Sequence, residues 1–478
     1  MTHSVALPVW LLVLLVVLAL WAALDRLLFP SVRWILRRRV NRVLEEINTR
    51  LKIQIPPFKL TRREVLIDRL LYDPEVQKAA EAAASSAEMP RDVVMERVAT
   101  YAREIVPSFN AYAYFRFGYA LARNVARLLY RVRLGYSDEE GLAALPPKST
   151  VVFLINHRSN MDYILVGYLA AEKAAISYAV GEWARVWPLQ TLVKAMGAFF
   201  VRRNSRDALY RKVLERWIAM STEAGVTSAV FPEGGLSRDG RLRPPKVGLL
   251  DYMLRSFNPA GERDIAFIPV GINYDRTFED RSFLAEREGT ARRGGLAAAA
   301  GTLRFVLKNL ALMARNQWHR FGYACVNFGS PVSLKRWLAA RPGREDRGVQ
   351  VTALAEHLMG EIARVIPVVP VSLVARAFVS DPKRSWSELE LKARALEEIR
   401  ELSASGAHVY VPRGDQDYAI DVGLRMLTLR RLVTEKEGLF TPVAAELPLL
   451  DYYANSIAHL FEAATASSSE PLRAAPPG

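Results

Sequence analysis

Four short apolar runs in the middle of the chain constrain its fold more than any other feature. They are TVVFLIN (Thr150 to Asn156), TSAVF (Thr227 to Phe231), IAFIPVGI (Ile265 to Ile272) and ACVNFG (Ala324 to Gly329). Each run is rich in β-branched residues and leads into turn residues, and stretches with helical periodicity separate the runs. This alternation predicts an α/β domain whose ligand site lies at the carboxyl ends of the strands.

Helical patterns flank this central region on both sides. The stretches Val32 to Leu51 and Arg91 to Ile105 are periodic and Arg-rich, and an amphipathic pattern returns after about Val332. The last residues, Ser467 to Gly478, have the composition of a disordered tail. We therefore expect an anchor (1–30), a basic helical domain (31–130), an α/β domain (131–335), a C-terminal helical domain (336–464) and a tail (465–478).

The N-terminus carries an uncharged apolar segment from Val5 to Leu24. Its length is close to the roughly 20 residues that cross the hydrocarbon core of a bilayer, which predicts a transmembrane helix. Positive charge follows the segment, concentrated between Arg33 and Arg42, so we expect the rest of the chain on the cytoplasmic side of the inner membrane. A buried core helix is the alternative interpretation.

The chain has 65 Lys and Arg against 50 Asp and Glu, a formal net charge of +15. Such a surface suits nucleic acid, an anionic membrane or a phosphorylated ligand. We find neither zinc-finger spacing nor an RNP-like aromatic motif, so the lipid surface is favoured and no nucleic-acid partner is expected. Cys325 is the only cysteine, which excludes an intramolecular disulfide and a multi-cysteine metal site, and we expect no metal.

The first predicted strand leads directly into NHRSNMDYILV. His157 therefore lies at a strand end beside a helix start, and Asp162 follows about one turn later. A carboxylate that holds one imidazole nitrogen leaves the other nitrogen to accept a proton from a hydroxyl, which is the arrangement of a general base. A purely structural histidine is the alternative.

Two further blocks combine basic residues with glycine. KAMGAFFVRRNS (Lys194 to Ser205) ends its apolar run in paired arginines that could bind phosphate, although a solvated helix start would show the same pattern. AVFPEGGLSRDGRLRPPKVG (Ala229 to Gly248) places an acid and two glycines after a strand, followed by basic side chains. Glycines allow main-chain N–H groups to approach an anion closely. A fourth block, FIPVGINYDR, contains Pro269 within an apolar strand, where proline is usually confined to edges or bulges.

In order and spacing these four blocks resemble the glycerolphosphate acyltransferase family. Its first motif, H-R-S-x-x-D, is present at His157, Arg158, Ser159 and Asp162, and its second, G-A-F-F-I-R-R, at Gly197 to Arg203 with Val201 in place of Ile. The third motif and the P-P-K-x-G-x-L that follows are matched at Phe231, Glu233, Gly234, Gly235, Ser237, Arg238, Gly240, Arg241 and Pro244 to Leu250. The fourth motif, I-P-V, lies at Ile268 to Val270. FGSPVSL (Phe328 to Leu334) and LLDYYANSIAHLF (Leu449 to Phe461) resemble later parts of the large, bacterial-type membrane-bound enzymes.

The resemblance implies a mixed sheet flanked by helices and the activity of a glycerol-3-phosphate 1-O-acyltransferase. In that mechanism Asp162 orients His157, His157 deprotonates the acceptor hydroxyl, and the alkoxide attacks the thioester of acyl-CoA or acyl-carrier protein without a cofactor. The sequence has no G-x-S-x-G elbow, so a covalent intermediate is not expected. The resemblance assigns substrate binding to Arg158, Arg202, Arg203, Glu233, Gly234, Gly235, Ser237, Arg238, Lys246 and Pro269.

Two positions depart from the third motif. Leu236 stands where the family has an arginine that contacts phosphate, and Asp239 stands where Thr or Ser is usual. Dihydroxyacetone phosphate or a lysophospholipid therefore remains an alternative acceptor to glycerol 3-phosphate. From other classes, a hydrolase that uses His157 with water, a nucleic-acid binder and a non-catalytic basic membrane-surface protein also remain open.

Overall fold

The computed structural model describes residues 53–170, 174–181, 189–202, 205–287, 320–341 and 346–462, with a few positions between 8 and 17. Contacts divide the chain into Met1–Gln54 and Ile55–Gly478, and every element below belongs to the second unit. Most of the predicted membrane span and the predicted tail lie outside the described residues. No helix within the described part of the chain is both long enough and apolar enough to cross a membrane.

Helices precede the sheet. They are α1 (Pro57–Leu60), α2 (Arg63–Leu71), α3 (Pro74–Ser86), α4 (Arg91–Ile105), α5 (Ala111–Ala113) and α6 (Tyr119–Leu129), with a π-helical turn at Tyr114–Gly118 between the last two. Asp73 begins α3 because its carboxylate accepts the free N–H groups of Glu75 and Val76. On α4, Val94 and Val98 recur at a spacing of four and are fully buried.

Eight strands of the described residues form the main sheet. They are β1 (Arg131–Ser137), β2 (Thr150–Ile155), β3 (Ser177–Val180), β4 (Phe199–Phe200), β5 (Ser228–Val230), β6 (Ile265–Tyr274), β7 (Tyr323–Phe328) and β8 (Val332–Ser333). Their order is β1-β7-β6-β2-β5-β3-β4, and β8 pairs with β6. The pairs of β2 with β5 and β6 are parallel, whereas β7 and β8 run antiparallel to β6. The mixed sheet is confirmed and all four predicted runs are strands; β1, β3 and β4 were not predicted.

The helices of the α/β region are α7 (Glu139–Ala143), α8 (Met161–Ala170), α9 (Leu189–Ala195), α10 (Ala208–Glu223), α11 (Gly248–Ser256), α12 (Asp280–Arg287), α13 (Leu334–Ala339) and α14 (Arg347–Val365). One hydrophobic core packs helices α2, α3, α4 and α10 against one face of the sheet. Val213 and Trp217 of α10 contribute to it together with Val152 and Leu154 of β2. Burial of this core fixes the sheet whose strand ends carry the motifs.

The C-terminal region forms a second core. Its helices are α15 (Pro370–Ser380), α16 (Glu388–Ala404), α17 (Gln416–Leu429) and α18 (Leu447–Asn455). Strands β9 (Trp386–Ser387), β10 (Val433–Lys436) and β11 (Leu439–Pro442) form a small antiparallel sheet beside them. The sequence predicted only helices here, because two- to four-residue strands carry too little periodicity to register.

Candidate active site

The turn between β2 and α8 brings His157 and Asp162 together. The Nδ1 atom of His157 lies 2.9 Å from Oδ2 of Asp162, and both side chains are buried. The same oxygen accepts the main-chain N–H groups of Arg158 at 2.8 Å and Ser159 at 3.0 Å. These donors fix the carboxylate as the acceptor for Nδ1–H, so the other ring nitrogen, Nε2, is the one able to accept a proton.

The Nε2 atom of His157 is buried and has no hydrogen-bond partner within the described part of the chain. Its ring packs on the ring of Phe231, with centroids 4.0 Å apart, and meets the edge of Tyr163 at 5.6 Å. A buried polar nitrogen without a partner costs stability, and such atoms concentrate at functional sites. The imidazole is therefore held in place with its basic nitrogen unused.

Two residues that the sequence analysis missed support this pair from the end of β6. The hydroxyl of Tyr274 donates to Oδ1 of Asp162. Burial, followed by the charge of Asp162, raises the pKa of Tyr274 well above its usual value, so the phenol stays protonated as a donor. Glu279 accepts from Ser159 Oγ at 2.6 Å and from the N–H of Asn160 at 3.1 Å. Tyr274 is the last residue of β6 and Glu279 follows soon after it, and this position at a strand end is the signal that could have identified both.

Glu233 and Ser237 of the third motif hold the main chain of His157 from two sides. Glu233 Oε1 accepts the N–H of His157 at 2.7 Å, while Oε2 accepts the N–H of Arg243 at 3.0 Å. The N–H of Ser237 donates to the carbonyl of His157 at 2.8 Å. Burial raises the pKa of Glu233, and these two N–H groups oppose part of the rise. In this geometry both residues position the base, and their predicted contact with substrate stays a prediction.

Arg158 spans three parts of the molecule from the interior. Its guanidinium donates to the carbonyl of Gly240 at 2.5 Å and to that of Ser456 at 2.9 Å, and its side chain is buried. The first motif is thereby joined to the third motif and to the C-terminal region. The guanidinium lies within the protein, so its predicted contact with substrate is not visible here.

The arginines predicted to bind phosphate lie in different surroundings. Arg202 makes two bonds to Glu104, at 2.9 and 2.6 Å, and its guanidinium lies over the ring of Tyr210. Arg238 is exposed and pairs with Glu286 at 2.9 Å. Arg203 lies outside the described residues. An apolar residue fits at position 236, because the side chain of Leu236 packs against the apolar C-terminal core.

Two cavities adjoin the aromatic side chains that pack on His157. The first, of about 330 Å³, is apolar, and its walls include Tyr163, Ile164, Tyr178, Val180, Met196 and Ala198. The second, of about 260 Å³, is basic, and its walls include Arg202, Tyr210, Arg211, Phe231, Gly234 and Lys246. His157 contacts one wall residue of each, Tyr163 and Phe231. Arg211 was not predicted, since it lies on α10 beyond any motif.

Glycine is favoured at position 234 by its left-handed backbone, and Lys246 lies close beside it. Gly234 has a φ of +64°, and a Cβ there would lie 2.5 Å from Cδ of Lys246. The lysine stem thus covers the glycine while the side chain contributes to the basic cavity. The neighbouring Gly235 is buried.

Pro269 lies in the central strand β6, not at an edge or bulge of the sheet. Ala266 and Phe267 pair with β8, and pairing with β7 begins at Val270, so Pro269 lies between the two partners. Its carbonyl accepts the N–H of Gly329 at 2.8 Å. The missing N–H therefore faces the break between β7 and β8, where no ladder bond is lost.

Comparison with known proteins places these motifs in a family. A model described as acyltransferase matches residues 137–273, and one described as the glycerol-3-phosphate acyltransferase C-terminal region matches residues 307–468. A glycerol-3-phosphate acyltransferase of Xanthomonas campestris is 27% identical over 457 residues, which is 90% of this chain and 49% of that protein. Another, of Aeromonas hydrophila, is 28% identical and covers 84% of this chain and 50% of that protein. The chain spans about half the length of these curated relatives.

Among solved structures, the 1-acyl-sn-glycerophosphate acyltransferase of Thermotoga maritima is similar to 50% of this chain and 78% of that chain. Its sequence identity is 17% and its TM-score 0.28, too low to support an argument about the fold. The two family models match most of the sequence from residue 137 to residue 468, and the first of them includes the His157–Asp162 pair. Over these residues the chain is similar to the glycerol-3-phosphate acyltransferases.

Proposed function

We propose that this protein transfers a fatty acyl group from an acyl thioester to the sn-1 hydroxyl of glycerol 3-phosphate, giving lysophosphatidic acid for phospholipid biosynthesis. The observation that carries the proposal is that His157, whose Nε2 has no partner among the described residues, packs on one wall residue of an apolar cavity and one of a basic cavity. An acyl chain suits the first cavity and a phosphorylated acceptor suits the second. The names of the relatives support the same acceptor.

The reaction proceeds by direct attack. His157 Nε2 removes the proton of the acceptor hydroxyl, and the oxygen forms a bond to the thioester carbonyl carbon. Asp162, bonded to Nδ1 at 2.9 Å, stabilises the imidazolium that results. The tetrahedral intermediate then expels the thiolate, which takes the proton from the imidazolium. Each turnover thus breaks one thioester, forms one ester and restores the neutral imidazole.

The acceptor phosphate is bound in the basic cavity by Lys246 and Arg211. Arg202 also lines the cavity, but its bidentate pair with Glu104 already neutralises most of its charge. The other two cations line the cavity from different elements. Lys246 lies in the loop just before α11, and Arg211 lies on α10. Arg203 and Arg238 stay candidates for phosphate contact from the motif resemblance.

The acyl donor delivers its chain to the apolar cavity, and the thioester lies beside His157. Both acyl-CoA and acyl-carrier protein present such a thioester on a flexible arm, so either donor is compatible with the proposal. The Val5 to Leu24 segment and the net charge of +15 favour a protein attached to the inner membrane with its active site on the cytoplasmic side.

The test uses the full chain purified in detergent, a labelled acyl thioester and a panel of acceptors, with products identified by mass. The proposal requires lysophosphatidic acid as the main product with glycerol 3-phosphate. Preferential acylation of dihydroxyacetone phosphate or a lysophospholipid would replace the acceptor, and thioester hydrolysis alone would make the protein a hydrolase.

A matched pair of variants tests the phosphate assignment. Arg211→Gln should raise the KM for glycerol 3-phosphate about tenfold, since a charge-assisted bond contributes about 1.5–3 kcal/mol, and should leave the donor KM unchanged. Its neighbour Lys212 pairs with Glu215 at 2.9 Å and does not line the cavity, so Lys212→Gln is the control. Equal effects of the two variants would show that net charge, and not the cavity, sets the acceptor KM.

A further inference from the structure

A separate basic cavity lies at the outer edge of the main sheet. It has a volume of about 300 Å³ and is lined by Arg127, Tyr130, Arg131, Arg133, Tyr168 and Arg320, and we call it the arginine cavity. Its edge strand β1 is separated from β2, which leads to His157, by β7 and β6. None of its four arginines belongs to the motifs of the active site.

Carboxylates of the described residues leave the charges of this cavity uncompensated. No carboxylate of a described residue lies within ion-pair distance of the four guanidiniums, whereas carboxylates pair with many other arginines of the chain, among them Arg202, Arg216, Arg255 and Arg430. Arg127 donates to the hydroxyl of Tyr168 at 3.0 Å, and Arg133 to that of Tyr410 at 3.1 Å. These bonds orient the guanidiniums without neutralising them.

Asp275 is an acidic group whose charge interacts with that of Arg131, and one carboxylate does not balance four guanidiniums. Its carboxylate is buried and accepts the N–H groups of Tyr323 and Val371. Burial raises the pKa of Asp275 to about 7, and the charge of Arg131 opposes part of that rise. Four guanidiniums around one cavity therefore favour a ligand with negative oxygens, and a phosphate matches their fork geometry.

The surroundings favour a phosphate carried by a lipid over a free one. Leu121 and Leu128 of α6 are 52% and 42% exposed, and Leu134 of β1 is 46% exposed. Leu128 follows Arg127 and Leu134 follows Arg133 in sequence, and Leu121 lines the apolar cavity, so basic and apolar side chains occur along the same elements. Arginines beside exposed leucines are typical of surfaces that bind at the headgroup level of a bilayer.

The arginine cavity also adjoins the apolar cavity. Helix α6 lines both, through Ala122 and Val125 on the apolar side and Arg127 on the basic side. The rings of Tyr119 and Tyr168, one from each wall, lie 5.9 Å apart. We propose that the arginine cavity binds the headgroup phosphate of an anionic membrane phospholipid beside these exposed leucines. This inference goes beyond acyl transfer and stands independently of which acceptor is used.

The test measures binding of a fluorescent short-chain phosphatidylglycerol to the full chain in neutral detergent, by fluorescence anisotropy. The double variant Arg131→Gln/Arg320→Gln should weaken binding at least about tenfold, because two charge-assisted contacts are lost. Arg364→Gln/Arg384→Gln removes the same charge from exposed positions elsewhere and is the control. Circular dichroism checks that each variant folds.

Three results would overturn the proposal. Equal weakening in the control would show attraction by net charge alone. Tighter binding of inorganic phosphate or coenzyme A than of the lipid, lost in the same cavity variant, would assign the cavity to a soluble phosphate. The third is an unchanged lipid affinity in Leu128→Ser, since loss of a leucine that contacts lipid should weaken binding about fivefold.

Discussion

The hydrogen bond from Tyr274 to Asp162 is expected to help Asp162 orient the base His157. The Tyr274 hydroxyl donates to Oδ1 of Asp162, while the other carboxylate oxygen accepts Nδ1–H of His157 and the N–H groups of Arg158 and Ser159. Tyr274→Phe removes one bond to a buried charge, worth about 1.5–3 kcal/mol, and leaves the other donors in place. The carboxylate is then held less firmly, so the imidazole of His157 is less well oriented and acyl transfer should slow.

The assay measures kcat and KM for acyl transfer at one fixed pH. We expect kcat to fall at least about tenfold with little change in KM, because the lost bond orients the base and does not contact the substrate. Tyr130→Phe is the control: its ring lies 5.2 Å from that of Tyr274, but its hydroxyl donates to the carbonyl of Arg276. A kcat that is unchanged in Tyr274→Phe, or lowered equally in Tyr130→Phe, would refute the role.

Three further variants test other parts of the account. Leu236→Arg should lower both the melting temperature and the activity, since it puts a guanidinium against the apolar C-terminal core at a cost of about 1–3 kcal/mol. Tighter binding of glycerol 3-phosphate by this variant would instead show that Leu236 only removes one phosphate contact. Gly240→Ala should destabilise the third motif in thermal melts, because a Cβ would lie 1.9 Å from the carbonyl oxygen of Tyr452 at a φ of +84°. Burial lowers the pKa of Lys59 from 10.5 to about 7. Between these two pH values Lys59 is protonated in the unfolded chain but not in the folded one, so the free energy of unfolding rises with pH across that window. Lys59→Met should flatten this dependence in melts between pH 7 and 10.5, and an unaltered slope would exclude Lys59 as its source.

The sequence predicted the central strands because β-branched runs bounded by turns are strong local signals. The runs that became β2, β5, β6 and β7 are also the buried interior of the sheet. The edge strand β1 was missed, since its charged and mostly exposed residues lack an apolar pattern. The two-residue strand β4 is too short to show one.

The pairing of His157 with Asp162 was predictable because the two residues are five positions apart, and Nδ1 of His157 lies 2.9 Å from Oδ2 of Asp162. The partners of the other motif residues were not predictable, because they are distant in sequence. Arg158 binds the carbonyl of Ser456, 298 positions away, and Arg202 binds Glu104, 98 positions away. A motif thus identifies side chains with suitable chemistry, whereas the fold determines which of them already form hydrogen bonds or ion pairs within the protein.

The central claim is that His157 is the general base for acyl transfer. The most direct measurement is the rate of lysophosphatidic acid formation by the purified full chain carrying His157→Ala, with His357→Ala, a half-exposed histidine of α14, as the control. We expect His157→Ala to lose at least about a hundredfold in kcat with an unchanged melting profile, and the control to keep the wild-type rate. A His157→Ala protein that retained more than half of the wild-type rate would contradict the account.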